Sequence, residues 1–424
     1  MRHGLAIAPD GPTSGEITAG MEWRDGWKAV LASAIGICFS ILHFYTLGIF
    51  LGPLSQAYGW TRSDITAGPA ILPLVYFFAA APVGRLASRI GVRRIALPGF
   101  AAYCFALAML GFAGPSLWSW YLLWLLFALC YPFANNNIWS LSVASRFNRS
   151  RGFALAMSLC GTGVASAIAP LATATLIARF GWANAYHLLG LAALVIGLPL
   201  IYFLMPELPG RAVARVPDPH GGTESLPGYS FGEAIRTRCF WILAFAAAVM
   251  GVGMPTLMLH FVPIGVHNHM SAHDAATAAS MIGVAAIIGR LTTGMLMDTL
   301  PGRLVAGVLF AIPAIACVLL LGAHGSMQAM SIAAFVIGLC TGAEFDVLAV
   351  LVSRYMGMRE FAAINGQIVA VFGLGVGFGP VLGSLAFDYY GSYRPMLTIL
   401  TFAFLFPAVL VLALGRPAFP RSRR

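Results

Sequence analysis

Three ionisable side chains stand inside long apolar stretches of the sequence. Arg290 interrupts "ASMIGVAAIIGRLTTGMLM" (279–297), and Glu344 and Asp346 interrupt a second apolar stretch at 327–352. A guanidinium near the middle of a bilayer costs about 2.5 to 3.5 kcal/mol on insertion scales, so it should face a cavity or a partner. Its planar N–H donors match a carboxylate bidentately. These residue types indicate an anion site at Arg290, and the alternative is an arginine paired with an intramembrane acid for packing alone.

The two acids are predicted to lie at the depth of Arg290. Arg290 is eight residues, roughly 12 Å along a helix, from Asp298, and the acids are ten and eight residues from Arg354. Side chains two residues apart on a helix point about 200 degrees apart, so only one acid can face a cavity. Burial favours a protonated carboxyl and a nearby guanidinium favours a carboxylate, so an arriving anion would change the balance. Glu344 and Asp346 are therefore candidate proton-coupling groups, or else structural acids hydrogen-bonded between helices.

Other polar groups in apolar stretches are candidate substrate contacts. Asn136 lies in the run Asn135–Asn137 and aligns with Glu344 at an offset of 208 residues. His43, Tyr45 and His260 are further candidates. Each of these side chains could instead bond a neighbouring helix or a backbone carbonyl.

No cofactor or metal site is expected. The histidine-rich segment "HNHMSAHD" (267–274) has no cysteine or rigid frame and is interpreted as a solvated loop. The seven cysteines lie in or at the ends of apolar stretches without a CxxC spacing. HExxH and GxSxG signatures are absent from the sequence, so an enzyme is not indicated.

The elements that must position these residues are membrane helices. Of the 424 residues, 59% are hydrophobic and 9% charged, values typical of a polytopic membrane protein. Windows of about 20 residues predict twelve helices. We place them at 28–52, 63–83, 95–114, 118–144, 152–178, 183–205, 239–263, 274–297, 303–323, 327–352, 361–386 and 393–415.

The net charge of +10 does not indicate a nucleic-acid partner, because its distribution follows the membrane. Of the 25 Lys and Arg residues, only Arg62, Arg179 and Arg394 fall in loops on one side, and 21 fall on the other. This bias predicts a multi-pass protein of the cytoplasmic (inner) membrane with both termini in the cytoplasm. Residues 1–27 have no apolar core of signal-peptide length and are predicted to be a cytoplasmic tail.

A polar segment divides the twelve helices six and six. Residues 206–236 are rich in Pro, Gly and charge and are predicted to be a cytoplasmic linker between bundles at 28–205 and 237–415, with a tail at 416–424. The halves match at an offset of about 210 residues: Gly84, Leu86, Arg93, Pro170 and Gly181 align with Gly294, Leu296, Arg303, Pro380 and Gly391. Arg290 breaks the repeat, because its counterpart is Ala80. The expected all-α fold of two pseudosymmetric six-helix bundles suits alternating access to a midplane site, and a non-transporting membrane sensor is the alternative from another class.

Two loops resemble signatures of the major facilitator superfamily. "GRLASRIGVRR" (84–94) is similar to its GxLaDRxGRR motif, and "GMLMDTLPGR" (294–303) is similar to a weaker second copy. The resemblance implies a conformational latch formed by Gly84, Arg89, Gly91, Arg93, Gly294 and Asp298. Ser88 departs from the motif, where an Asp is usual.

Within that superfamily the sequence resembles the monocarboxylate porters and the bacterial oxalate/formate antiporter. The resemblance is carried by "RDGWKAV" (24–30), "YGWTRSDI" (58–65), "GVAAIIGRLTTGMLMD" (283–298) and "GAEFDVLAVLVSRYMGMREFAAINGQ" (342–367). It places Arg290 on the substrate arginine and implies a transporter of a small organic anion, coupled to protons and functional as a monomer. Anion exchange without protons and drug/proton export are the alternatives.

Departures from these relatives bear on the substrate. Tyr45 stands where animal monocarboxylate porters have a lysine, and Ala286 stands where they have an acid. The eleventh helix lacks the second basic residue of the oxalate porter. A dicarboxylate would leave one charge without a cation, so the sequence predicts a substrate with one carboxylate.

Overall fold

The computed structural model describes residues 19–147, 150–205 and 228–415, and the secondary structure of these residues is helical apart from one isolated bridge between Gly228 and Gly357. The α-helices are Ala19–Ser40, Leu42–Tyr58, Arg62–Ala67, Ile71–Ile90, Val92–Met109, Leu117–Cys130, Asn136–Ala144, Arg151–Ala192, Leu198–Leu204, Phe231–Ala234, Arg238–His267, Ala272–Thr299, Gly302–Leu321, Met327–Thr341, Glu344–Met356, Phe361–Tyr390 and Arg394–Leu412. Short 3-10 segments at Leu110–Phe112 and Tyr131–Phe133 and a π segment at Ala193–Gly197 extend or join them.

Eleven of the described segments are long and apolar enough to cross a membrane. They are Gly26–Tyr58, Arg62–Ala80, Val92–Phe112, Leu117–Ala144, Gly152–Leu204, Arg238–His267, Ala272–Met297, Gly302–Leu321, Met327–Met356, Ala363–Tyr390 and Arg394–Leu412. The segment Gly152–Leu204 has 53 residues, which would extend roughly 80 Å as one helix against a hydrocarbon core of about 30 Å. It is broken at Gly181, where φ is 80° and ψ is 166°. The prediction of twelve spans is confirmed, and we number them 1 to 12, with spans 5 and 6 on either side of Gly181.

The two halves repeat one architecture. Gly181 follows span 5, and Gly391, 210 residues later, follows span 11 with φ of 64°. Both glycines have a positive φ, which favours glycine, although ψ is 166° at Gly181 and 12° at Gly391. Each half also has its own core: large aromatic side chains such as Trp120, Trp124 and Trp139 fill the first, and alanines, methionines and Phe310 fill much of the second. The predicted pair of pseudosymmetric six-helix bundles is confirmed.

The bundles meet mainly on one side of the membrane. We call the side at which span 1 begins the terminal side and the opposite side the far side. Span 5 packs against span 8, the helix Leu42–Tyr58 of span 1 against span 7, and the first turns of span 2 against span 11. The latter two contacts involve the far halves of spans 1 and 2, so the space between the bundles is closed on the far side.

The predicted N-terminal tail overlaps the first helix. The first helix begins at Ala19, so residues 19–27 of the predicted tail are helical. Residues 1–18, most of the predicted linker (206–227) and the predicted tail 416–424 lie outside the described residues. At the end of the linker, hydrogen bonds from Ser230 hold the pKa of Glu233 below its ordinary value. The same hydrogen bonds form a capping box that begins the helix Phe231–Ala234.

Candidate functional site

A cavity of about 380 Å³ lies between the bundles near the middle of the spans. Both bundles contribute to it, as a midplane transport site requires. Its lining includes His43, Phe44, Tyr45, Tyr76, Tyr131 and Asn135 of the first bundle and Arg290, Thr341, Glu344 and Phe372 of the second.

Spans 4 and 10 are both interrupted beside the cavity, which the sequence analysis did not predict. Span 4 changes from α-helix to a 3-10 turn at Tyr131–Phe133 and starts a new helix at Asn136. Span 10 stops at Thr341 and starts again at Glu344. Asn136 and Glu344 are the repeat-related pair, so the break occurs at the same place in each half. Broken helices at matching positions are typical of transporter binding sites, because they bring backbone polar groups to the midplane.

Arg290 is held by the break in span 10. Its Nε donates to the carbonyl of Gly342 at 2.7 Å and lies 3.6 Å from Oδ2 of Asp346. Span 10 packs closely against span 8 here: a Cβ added to Gly342 would lie only 2.0 Å from the Ala286 carbonyl oxygen, so only glycine fits. Both of these contacts are made by Nε of Arg290. Among the described residues no contact is recorded for its two terminal amino groups, which can therefore donate to a ligand. The 17% exposed side chain can therefore bind a carboxylate in the cavity.

The two acids of span 10 occupy different environments. Glu344 lines the cavity, is 6% exposed, and its Oε2 has no hydrogen-bond partner among the described residues. The Asp346 side chain is 53% exposed and contacts Arg290. Glu344 is thus the member of the pair whose carboxyl group a cavity ligand would meet, whereas Asp346 acts on the same arginine from beside it.

The asparagine run contributes through Asn135 more than through Asn136. Asn135 precedes the second helix of span 4, and its side chain accepts a hydrogen bond from the Asn137 backbone at 2.9 Å. It lines the cavity, where the Tyr76 hydroxyl donates to it at 3.3 Å. Asn136 is not among the described lining residues, so its predicted substrate contact is not supported by its position. The capping position, one residue earlier, is the one that faces the cavity.

Of the other predicted substrate contacts, His43 and Tyr45 line the cavity and His260 does not. The His43 ring lies 3.4 Å from the Tyr103 hydroxyl. His260 is fully buried outside the described lining, with its Nε2 3.1 Å from the Pro380 carbonyl oxygen. The structure therefore brings His43 and Tyr45 together with Arg290 and places His260 beyond the cavity, toward the far side.

The far side is closed by contacts that the sequence analysis missed. We call them the far-side latch, formed by Arg62, Ser63 and Thr66 of span 2 with Ser384, Phe387, Asp388 and Tyr393 of the second bundle. The carboxylate of Asp388 accepts hydrogen bonds from the backbone N–H groups of Arg62 at 3.1 Å and Ser63 at 2.8 Å. Thr66 donates to Ser384 at 3.0 Å.

The Arg62 guanidinium adds a second set of contacts to the latch. It lies 3.7 Å from the centroid of the Phe387 ring and donates to the Tyr393 hydroxyl. That hydroxyl is also 3.3 Å from Nδ1 of His260. Cation–π and hydrogen-bond contacts therefore join the two bundles at the far side and connect them to the buried histidine.

We predict that Asp388→Asn opens the far side more often. The asparagine amide nitrogen cannot accept a hydrogen bond, so one charge-assisted bond and the attraction to Arg62 are lost. A loss of about 1.5 kcal/mol corresponds to roughly a tenfold change in population. A cysteine at Leu72, which lines the cavity, should react about tenfold faster with an impermeant thiol reagent added on the far side.

The matched control for this experiment is Asp274→Asn. Asp274 is also an acid on the far side, but its contacts are within the second bundle. Its carboxylate accepts a hydrogen bond from Ser271, which caps the helix Ala272–Thr299. Labelling should not change in this variant. Equal labelling of the Asp388→Asn and unaltered proteins, each corrected for the background without the added cysteine, would contradict the latch.

Two glycines of the predicted terminal-side latch, Gly84 and Gly294, lie within helices and not in loops, and both face open space. A Cβ on Gly84 or on Gly294 would meet no atom within 4 Å. The side chain of Asp298 is outside the described part of the chain. This conformation is therefore closed at the far side and has room between the bundles at the terminal side.

The other predicted latch residues lie between spans 2 and 3. Arg89 is exposed, and Gly91 ends the helix Ile71–Ile90 with φ of 100°. Arg93 donates to the Tyr202 carbonyl at 3.0 Å and lies 4.8 Å from the Tyr202 ring. These contacts are within the first bundle, and the latch role of the set stays a prediction.

Comparisons with known proteins agree with this architecture. Human monocarboxylate transporter 11 is 28% identical over 406 residues, which cover 92% of this chain and 81% of the relative. The 3-(3-hydroxy-phenyl)propionate transporter of Escherichia coli is 27% identical over 370 residues, 83% of this chain and 86% of the relative.

A solved structure shares the fold. The bacterial homolog of the human lysosomal transporter Spinster, in an inward-facing and unoccupied conformation, matches with a TM-score of 0.66 at 16% identity, over 92% of this chain and 95% of that one. The Major Facilitator Superfamily model matches residues 33–380 and 243–424. Together with the twelve spans and the cavity between the bundles, this match shows that the chain belongs to the Major Facilitator Superfamily.

Proposed function

We propose that this transporter moves a small organic monocarboxylate across the cytoplasmic membrane by proton symport. The observation that carries the proposal is the Arg290 guanidinium, whose terminal amino groups remain as donors in a cavity between the bundles. The names of the relatives, a monocarboxylate transporter and a transporter of a phenylpropionate, support the same class of substrate. A membrane-embedded cavity with one cation can neutralise the charge of one carboxylate.

Glu344 supplies a physical basis for coupling. A nearly buried carboxyl group is more stable when protonated, and a nearby positive charge makes the carboxylate more stable. A substrate anion on Arg290 neutralises that charge, so proton binding at Glu344 and anion binding at Arg290 favour each other. Asp346 contributes to the same balance through its contact with the guanidinium.

The conformation suggests how the site changes sides. With the termini in the cytoplasm, the far-side latch closes the external side and the cavity faces the cytoplasm. Rocking of the bundles about the cavity would break the Arg62–Asp388 contacts and close the terminal side, where the helical segments containing Gly84 and Gly294 would meet. Alternating access of this kind needs no movement within either aromatic or alanine-rich core.

We expect purified protein in liposomes to accumulate a monocarboxylate only when an inside-alkaline pH gradient is imposed. The measurement is uptake of a labelled carboxylate panel with and without the gradient. Accumulation that requires a trans carboxylate and ignores the gradient would replace symport with anion exchange. The absence of any carboxylate flux, with ligand binding retained, would instead favour a sensor.

The substrate should carry one charge. Arg290 is the only Lys or Arg among the described residues that line the cavity, and an unpaired buried charge costs several kcal/mol even after relaxation. Propanoate derivatives should therefore outcompete the matched dicarboxylates across pH 5 to 8. Preference for the dianion at pH 8, where a histidine of ordinary pKa is neutral, would contradict this prediction and favour an exchanger of the oxalate type.

A further inference from the structure

The cavity is divided chemically between the two bundles. Arg290, Thr341 and Glu344 supply polar groups from the second bundle. Phe372 is the one aromatic ring that the second bundle adds among the described lining residues, whereas the facing wall from the first bundle contains five aromatic or imidazole rings beside other side chains. We call it the aromatic wall, formed by His43, Phe44, Tyr45, Tyr76 and Tyr131.

The rings of the aromatic wall are in contact with one another. The centroids of His43 and Tyr131 are 5.1 Å apart, those of Tyr131 and Tyr76 are 6.0 Å apart, and those of Phe44 and Tyr45 are 5.3 Å apart. These separations are within the range of edge-to-face pairs. The wall is therefore a preformed surface against which another ring can pack without reorganising the side chains.

The size of the cavity exceeds the needs of a two- or three-carbon acid. About 380 Å³ falls in the range of pockets that enclose ligands of drug size. A short acid bound to Arg290 would leave much of this volume to water. A ligand that contacts both bundles is needed to stabilise their closure around it.

From this geometry we propose that the substrate is an arylalkanoate, a monocarboxylate that carries a flat aromatic ring a few bonds from the carboxylate. The inference rests on the proposed function and specifies its substrate class. The carboxylate binds the terminal amino groups of Arg290, and the ring packs on the aromatic wall across the cavity. The ring thereby links the charged bundle to the aromatic bundle.

Equilibrium binding to the purified full chain tests the proposal with four matched compounds: 3-phenylpropanoate, 3-cyclohexylpropanoate, propanoate and the neutral 3-phenylpropan-1-ol. Phenylpropanoate should bind about tenfold or more tightly than propanoate, because the ring leaves water. It should bind about threefold more tightly than the cyclohexyl compound, because only a flat ring makes edge-to-face contacts. The alcohol should bind about tenfold or more weakly than phenylpropanoate, since it cannot form the charge-assisted pair.

A variant locates the ring. Tyr131→Leu keeps an apolar side chain in the wall but removes one of its five rings, so the preference for the phenyl over the cyclohexyl compound should become smaller than in the unaltered protein, and an undiminished preference would contradict ring packing at Tyr131. The control is Phe78→Leu, because Phe78 is 76% exposed on the outer surface of span 2 and should leave the preference unchanged. The comparison of compounds on the unaltered protein remains decisive if the Tyr131 variant does not fold.

The outcomes separate this inference from the proposed function. Equal binding and uptake of propanoate and phenylpropanoate would overturn the arylalkanoate proposal and leave a monocarboxylate transporter. Binding of the neutral alcohol as tightly as the acid would overturn both, as would the absence of binding and flux for every carboxylate.

Discussion

Replacing Arg290 with lysine should reduce carboxylate uptake by about 30- to 150-fold at sub-saturating substrate. An ammonium is a point donor and cannot reproduce the two parallel N–H bonds of a guanidinium, and the loss of about 2 to 3 kcal/mol gives this factor. Lysine also cannot donate from Nε to the Gly342 carbonyl while presenting further planar donors to the cavity. The measurement is initial uptake in liposomes of the carboxylate that the unaltered protein transports best.

The control for the arginine experiment is Arg179→Lys. Arg179 is exposed near the far end of span 5, away from the cavity lining, and the substitution should leave uptake unchanged. Amounts of reconstituted protein must be equal in the three samples. Near-normal uptake by Arg290→Lys would remove Arg290 from the substrate site.

The second large effect is expected at Glu344. Glu344→Gln keeps the size and hydrogen-bonding shape of the protonated acid but cannot release a proton. It should abolish accumulation driven by an inside-alkaline gradient, whereas downhill substrate flux continues. Proton entry, followed with a pH-sensitive dye inside the liposomes, should no longer accompany substrate.

Asp346→Asn is the matched comparison, because it neutralises an acid two residues away on the same helix. Oδ2 of Asp346 lies 3.6 Å from Nε of Arg290, and Asp346 is not among the described residues that line the cavity. This variant should still accumulate substrate, with a KM altered through Arg290. Loss of accumulation in Asp346→Asn and its retention in Glu344→Gln would exchange the two roles, and retention in both would place the proton carrier elsewhere.

The sequence was sufficient for the parts of the structure that depend on composition and repetition. Apolar windows predict the twelve spans because a bilayer requires about 20 apolar residues for each crossing. The alignment of Gly181 with Gly391 was part of the repeat that predicted a duplicated six-helix unit, and both glycines have a positive φ in the structure. The unusual cost of Arg290 in a span pointed to the cavity before its lining was known.

The breaks in spans 4 and 10 were not predicted, because hydropathy measures composition and is insensitive to backbone hydrogen bonding. Pro132 was a signal for span 4, since proline cannot donate a backbone hydrogen bond. The signal in span 10 was weaker. The need for glycine at position 342 becomes clear only in the structure, where the residue packs against the Ala286 carbonyl group. The choice of Asn136 over Asn135 as the cavity residue has the same cause. Asn135 caps the second helix of span 4, and this role could not be assigned before the start of that helix was known.

The far-side latch could not be predicted from the sequence for a different reason. Arg62 and Asp388 are 326 residues apart, and a single sequence contains no record of such a contact. His260 was assigned to the cavity because its span borders it. Its side chain instead points to Pro380 and Tyr393, and that direction is set by how spans 7 and 11 pack together.

The shared interruption of spans 4 and 10 has an evolutionary consequence. Both halves keep the break, yet one half begins its second helix with Asn136 and the other with Glu344, and only the second half has an arginine beside it. A feature common to both copies of a duplicated unit is most simply inherited from the unit itself, whereas the charges were acquired or lost after duplication. The difference in charge between the halves is thus younger than their shared backbone break, and new substrates can arise by exchanging a few side chains on an unchanged backbone.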